Sequence, residues 1–306
     1  MNNIIKFKQM KRFFCLLCLF FPLILKGQNL VKNPGFEEYH HLPDLIYEYG
    51  RYYPDSNLLI EPLYYFICKD WYRPMATSQD YFHINAKNIR YGIPYSDRFG
   101  YYPAMFDSAY IGFNPLTLHV GGTFEYFTGE FSEPLEKGKK YEVSFFYCFA
   151  HIASYFSLDK IEVFISIDYW NTRSSPTYAY IVNQDIVANV TFDNQPIVND
   201  GQWHKLTGYY QANGGEKYIT FGIFRQNRKF HKMIREYERY DFVWGKNQNK
   251  LHKFFKKYQK DLFIHRNPYY ITKISGSTKH EGTDVYYYQQ QLAYYFIDNV
   301  SVVEID

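Results

Sequence analysis

Lys160-Ile161-Glu162-Val163-Phe164-Ile165-Ser166-Ile167-Asp168 places Ile161, Val163, Ile165 and Ile167 on one side of an extended chain and Glu162, Phe164 and Ser166 on the other. A period of two is that of a β-strand with one face buried. Similar runs recur on both sides of it. Phe124 to Phe131 is one, and Tyr141 to Phe149 follows the turn Leu135-Glu136-Lys137-Gly138. Trp203 to Gln211 follows Asn199-Asp200-Gly201, Lys217 to Phe224 follows Asn213-Gly214-Gly215, and Tyr294 to Ile305 ends the series. Short β-rich runs between turn residues predict an antiparallel sandwich. Residues 40–120 are rich in Pro, Gly, Tyr and Asp and alternate little. They predict long ordered loops joining a few short strands, the kind of segment that carries function.

The amino-terminal residues do not belong to this pattern. Lys6, Lys8, Lys11 and Arg12 precede an apolar run from Phe13 to Leu25, followed by Lys26-Gly27-Gln28. A charged start and a short apolar run ending at a small residue predict a secretory signal peptide over 1–27 and a mature domain over 28–306. The apolar run is shorter than the roughly 20 residues that span a bilayer. The chain is therefore expected to be exported, to the periplasm, the outer-membrane surface or the medium.

Net charge is +3 over 306 residues, but it is divided unevenly. Residues 226–285 carry 14 Lys/Arg against 6 Asp/Glu, and the leader is basic, so by difference the rest of the mature chain stands at −10. Within the basic stretch Leu251, Phe254, Phe255, Tyr258 and Leu262 recur at helical spacing, with Lys250, Lys253, Lys256, Lys257 and Lys260 on the other face. This predicts an amphipathic helix inside an insertion before the last strand. Two readings of its lysines stand open: a solvated face of a packed helix, or contact with an anionic surface. Nucleic acid is not an expected partner of an exported, acidic body.

Aromatic residues make up 22% of the chain, with 34 Tyr and 28 Phe. Tyrosine can pack in a core while its hydroxyl finds a polar partner, so most of these are expected inside a wide sandwich. The mature chain has two cysteines, Cys68 and Cys148. A disulfide suits an oxidising compartment, and buried free thiols are the alternative.

Two ends of the chain resemble a known family. Asn29-Leu30-Val31-Lys32-Asn33-Pro34-Gly35-Phe36-Glu37-Glu38 near the start and Tyr295-Phe296-Ile297-Asp298-Asn299-Val300-Ser301-Val302 at the finish resemble galactose-binding-like jelly-roll domains, to which many carbohydrate-binding modules belong. Between them, Asp70-Trp71, Ser78-Gln79-Asp80-Tyr81-Phe82, Ser108-Ala109-Tyr110-Ile111-Gly112, Pro134 to Tyr141 and Trp203 to Gly208 resemble jelly-roll domains of Gram-negative cell-envelope proteins. The resemblance implies an all-β jelly-roll β-sandwich with a basic, partly helical insertion. It implies that the first and last strands lie side by side. Glu37 and Asp298 could then hold one structural Ca²⁺, a hard cation that takes six to eight oxygens. Asn299 stands where a second Asp is common in the family, which removes one charge from such a site.

Signatures of catalysis are sparse. The sequence has no G-x-S-x-G, no H-E-x-x-H and no Gly-rich phosphate loop, and His40-His41 lack a third partner at metal spacing. The expected function is a non-catalytic binding module for a glycan of the cell envelope, with loop aromatics Tyr81, Tyr101, Tyr102 and Trp170 as candidate stacking residues. Trp71 and Trp203 fall in motif positions expected in the core. The alternatives are an adhesive envelope protein that binds another protein, and a hydrolase with an unfamiliar site.

Overall fold

The computed structural model describes residues 27–43, 67–74, 79–118, 124–170, 186–192, 197–224, 232–233, 235–237, 250, 253–258, 264–266 and 292–305. The expected leader and most of the basic insertion lie outside these residues. The described strands are β1 (Trp71–Tyr72), β2 (Asp80–His83), β3 (Tyr95–Ser96), β4 (Gly100–Tyr101), β5 (Ala109–Thr117), β6 (Phe127–Glu130), β7 (Lys140–Phe149), β8 (Phe156–Leu158), β9 (Glu162–Ser166), β10 (Thr191–Phe192), β11 (Trp203–Gln211), β12 (Tyr218–Gly222), β13 (Ile264–Arg266) and β14 (Leu292–Ile305). One antiparallel sheet runs β1-β6-β12-β9 and a wider one runs β10-β11-β7-β14-β5-β2. From β5 to β14 the chain crosses between these two sheets at nearly every connection. That winding makes an all-β antiparallel sandwich, as expected.

Side-chain alternation puts the main core between the sheets. Ile161, Val163 and Ile165 of the opening stretch are buried with Ile219 and Phe221 from β12 and Val143, Phe145 and Tyr147 from β7. Ile167 lies beyond the end of β9 and is exposed. Trp71 is buried against Phe36, Phe127 and Phe221, with ring centroids at 4.7, 5.5 and 6.3 Å. Its indole lies directly over Gly129, where an added Cβ would sit 2.8 Å from the ring.

A second apolar cluster covers the outer side of the wide sheet. Phe82, Tyr110, Cys148, Tyr294 and Phe296 point away from the sandwich and meet Tyr91, Ile93, Phe99 and Tyr102 from the segment after β2. Strands β2 and β5 are therefore buried on both faces. A strand buried on both faces shows no period of two, which is why residues 40–120 read as loops while containing the nine-residue β5.

The amino-terminal strap closes the sandwich as expected. Leu30 N donates to Val302 O at 2.9 Å, Val300 N to Pro34 O at 2.9 Å, and Lys32 N to Glu130 O at 2.9 Å. One strap thus joins the end of β14 in the wide sheet to the end of β6 in the narrow one.

Cys68 and Cys148 are both free and buried, Cys68 in the main core and Cys148 in the outer cluster. Of the two readings the sequence left open, the structure has the thiols. Within the basic stretch residues 253–258 are helical. Phe254, Phe255 and Tyr258 are buried, and Phe255 meets Tyr155 and Phe156 at 6.0 and 6.2 Å. Lys253, Lys256 and Lys257 are on the solvent side, so this turn packs on the sandwich with a solvated charged face.

Trp71→Ala removes the largest side chain of the main core and leaves a void over Gly129. Urea unfolding is expected to show a loss of about 3–5 kcal/mol with an unchanged m-value.

Candidate functional site

Two features stand out, a pair of carboxylates at the strap and an aromatic hairpin on the outer cluster. The first begins with a turn. Asn33 and Phe36 adopt positive φ, 45° and 64°, and Phe36 N donates to Asn33 O at 3.1 Å. The Asn33 carboxamide fixes the turn by donating to Glu38 O and Lys69 O, both at 2.8 Å, and accepting from Glu38 N at 3.0 Å. Trp71 Nε1 and the Tyr81 hydroxyl donate to Asn33 O and Phe36 O at 3.0 and 2.9 Å. The turn directs Glu37 onto the start of β5, where its Oε1 accepts from Ser108 N and Ala109 N at 3.0 and 2.9 Å.

Asp298 approaches from β14. The strand is irregular between Asp298 and Ser301, where Asn299 has φ 48°. Asp298 is fully buried, and its Oδ2 accepts from Phe106 N at 3.1 Å. Among the described residues its Oδ1 is buried without a hydrogen-bond partner. Burial pushes the Asp298 carboxyl up to about 7, the backbone amides of Phe106, Asn299 and Met105 pull it down, and the negative charge of Glu37 raises it further.

This donor set fits a hard cation. An orphaned buried carboxylate oxygen beside a second carboxylate is an arrangement that a divalent ion completes. Among the described residues no group of three or more His, Cys, Asp and Glu could hold a metal. Glu37 and Asp298 would therefore need backbone carbonyls and waters as the other ligands, which Ca²⁺ accepts.

The second feature is the β3–β4 hairpin, in which Tyr95 and Tyr101 are direct cross-strand partners. Their relative exposures are 53% and 66%, among the highest for large side chains in the described residues. Directly opposed residues hold their Cβ atoms about 5 Å apart, so the two rings share one face. The hairpin is firmly anchored. Tyr102 N donates to Pro94 O at 2.7 Å, the Ser96 hydroxyl donates to Arg90 O at 2.6 Å, and Phe99 packs on Tyr294 with centroids 4.2 Å apart.

The remaining expected stacking residues are placed differently. Tyr81 and Tyr102 are a correction: both are buried, at 2% and 3% exposure, so neither offers a ring face to a ligand. The Tyr81 hydroxyl is engaged by Phe36 O, and that of Tyr102 lies 3.0 Å from His151 Nδ1. Trp170 is half-buried against the main core, edge-on to Tyr126 at 4.9 Å and close to Phe224 at 6.1 Å. The structure thus does not bring Tyr101 and Trp170 into one platform with Tyr81 and Tyr102. Tyr95 was not singled out in the sequence, although Ile93-Pro94-Tyr95 and Arg98-Phe99-Gly100-Tyr101 flank a turn that pairs the two tyrosines.

No protein-family model matches the chain, and no curated protein matches it. Among solved structures it is similar to the K1 cleaved adhesin domain of Lys-gingipain from Porphyromonas gingivalis W83, at 12% identity and a TM-score of 0.27, over 77% of this chain and 84% of that one. The K3 cleaved adhesin domain of the same protein is similar at 12% identity and a TM-score of 0.27, over 74% and 90%. Superpositions this loose transfer neither a ligand nor a site.

An unfolded aspartate ionises near pH 3.9, whereas Asp298 in the fold does so near 7. The native state therefore holds this proton more tightly. In chelator its contribution to stability is fully present below about pH 4 and is lost as pH rises through about 7, amounting to at most about 4 kcal/mol. Asp298→Asn is expected to remove this loss. Melting temperatures in chelator from pH 5 to 8 should fall for the wild type relative to the variant, and parallel curves would show that Asp298 is ionised throughout.

Proposed function

We propose that the chain is a non-catalytic, exported binding module that holds a glycan of the cell envelope against the Tyr95–Tyr101 hairpin. The observation that carries this reading is a pair of exposed tyrosines in direct register on a hairpin fixed by buried neighbours. A pyranose presents a face of C–H groups, and a rigid aromatic surface meets it with little loss of side-chain freedom. Asp97, Arg98 and Arg90 lie on the same hairpin and its approach, where polar groups can meet hydroxyls.

Glu37 and Asp298 hold a structural Ca²⁺ in this reading. A bound ion would supply charge neutralisation between the two carboxylates. The protein residues contribute two carboxylates and fix them through the amides of Phe106, Ser108 and Ala109.

A second reading rests on the apolar surroundings of the hairpin. Ile84, Ile89, Met105 and Phe106 are exposed on neighbouring turns of the same segment. A broad apolar patch suits a protein partner, and in that case the module is an envelope adhesin or scaffold component.

A glycan array probed with and without calcium separates the readings. Tyr95→Ala and Tyr101→Ala are each expected to lower affinity for the bound glycans at least tenfold with an unchanged melting temperature. A blank array with folded protein transfers the hairpin to a protein partner. For the ion, calcium is expected to raise the wild-type melting temperature by several degrees at pH 7.5 and to leave Asp298→Asn unmoved. Equal shifts in both proteins would place any bound calcium elsewhere.

A further inference from the structure

The far end of the wide sheet from the hairpin carries a separate open cleft of about 430 Å³, lined by residues of β7, β10 and β11 together with Asn189 and Asn213. Among the described residues none of its lining side chains is a carboxylate, and one, Lys140, is a cation. Lys140 Nζ stands 4.6 Å from the centroid of the Tyr209 ring, so a cation–π contact holds the ammonium over the cleft wall. Its neighbours are neutralised: Lys139 pairs with Glu304 at 2.6 Å and Lys205 approaches Glu142 at 4.0 Å. Among the described residues Lys140 has no carboxylate partner.

The hydrogen bonds of the lining decide which groups can meet a ligand. The Asn189 carboxamide is fully engaged with Ile165, accepting from its N–H at 2.8 Å and donating to its carbonyl at 2.7 Å. The Tyr210 hydroxyl donates to Glu216 at 2.8 Å, and Glu216 also accepts from the amides of Asn213 and Gly214 at 2.7 and 2.9 Å. Gln211 Nε2 donates to Gly138 O at 2.8 Å. These contacts make a stiff wall. They leave the Lys140 ammonium and the Thr191 hydroxyl as donors and Gln211 Oε1 as an acceptor, while the Asn213 carboxamide already meets the Tyr210 hydroxyl.

One positive charge beside a neutral hydroxyl and an amide acceptor is the complement of a ligand with one negative charge and hydroxyls. The volume is ample for one or two sugar rings and far larger than a simple ion needs. A single lysine, a point charge with no arginine beside it, matches one carboxylate better than a phosphate dianion.

We infer that this cleft is a second carbohydrate site, specific for a carboxylate-bearing sugar such as a uronic acid unit of an acidic polysaccharide. The inference rests on the reading of the chain as a glycan-binding module, yet its site is distinct from the hairpin. Trp203, at the start of β11, donates from Nε1 to Pro103 O beside the hairpin at 2.8 Å. Gln211 ends the same strand, roughly 26 Å away at about 3.3 Å per residue.

Calorimetric titration of the whole chain with an oligoglucuronate, and with the same oligomer after reduction of its carboxyl groups, tests the inference. The acidic oligomer is expected to bind, to bind more weakly as salt rises, and to lose at least tenfold in affinity on carboxyl reduction. Lys140→Gln is expected to cause a similar loss without changing the melting temperature, and Lys140→Arg to retain part of the affinity. Tyr101→Ala should leave this binding unchanged. Lys140→Gln binding as tightly as wild type, or equal affinity for the reduced oligomer, would overturn the site. Array hits lost in Tyr101→Ala with no oligoglucuronate binding sink the cleft alone, whereas acidic binding that needs Lys140 alongside a hairpin that holds no glycan sinks the hairpin reading alone.

Discussion

A buried carboxylate oxygen without a partner constrains the rest of this molecule. Asp298 lies where β14 becomes irregular, and its two oxygens face different circumstances: one is held by Phe106 N, the other is buried with no hydrogen-bond partner among the described residues. A fully buried charge in that state costs several kcal/mol unless it is protonated or joined by a cation. Three separate segments converge on the problem. The strap brings Glu37, the 105–109 segment brings its amides, and β14 brings Asp298. Each has backbone in an unusual region there, at Phe36, Asp107 and Asn299, with φ of 64°, 45° and 48°. Such strain persists where neighbouring structure over-determines it, and it gathers at functional positions.

The abundance of tyrosine follows from a wide sheet covered on both sides. Buried tyrosines fill volume as phenylalanine does, and their hydroxyls close backbone groups that no strand reaches. Tyr126 donates to Ile223 O at 2.6 Å, Tyr110 to Tyr102 O at 3.1 Å, and Tyr147 accepts from Val198 N at 2.9 Å. Tyr294 donates to the buried Asp80 at 2.5 Å. Burial pushes the hydroxyls of Tyr110, Tyr126 and Tyr294 well above the usual tyrosine range, so they stay protonated donors. The hairpin tyrosines are the exception, since Tyr95 and Tyr101 sit outside this covering layer.

The parts of the fold with one dry and one wet face were legible in the sequence. The stretch at 160–168 alternates because β9 buries Ile161, Val163 and Ile165 and turns Glu162 and Phe164 toward partial exposure. Trp203 to Gln211 matches β11 residue for residue. Strand β5 was hidden because residues 91–102, just before it in the chain, cover its outer face, and a strand buried on both faces shows no alternation. The same limit applies to the site. Glu37 and Asp298 could be named from the two ends of the chain, but the orphaned oxygen is a property of packing. Tyr81, Tyr101 and Tyr102 look alike in sequence. Only the outer cluster decides that Tyr102 turns inward to His151 while Tyr101 turns out. Lys140 and Tyr209 meet because β7 and β11 are paired in register, with Tyr210 opposite Tyr141 and Gln211 opposite Lys140, a relation between residues about 70 positions apart.

The strap also sets how the domain answers to mechanical load. Residues 30–34 lie against residues 300–302, and Gly27 lies against Val303 and Glu304, so the two ends of the described fold emerge side by side. Tension applied between them pulls the strap away from β14 sideways, and its hydrogen bonds yield one after another like a zip. The long pairing of β7 with β11 lies off that path. Under force the strap therefore peels first and draws Glu37 away from Asp298, while the sandwich core and the hairpin it carries stay folded. In tension the carboxylate pair acts as the clasp of the zip, and an ion held there would set the force at which it opens.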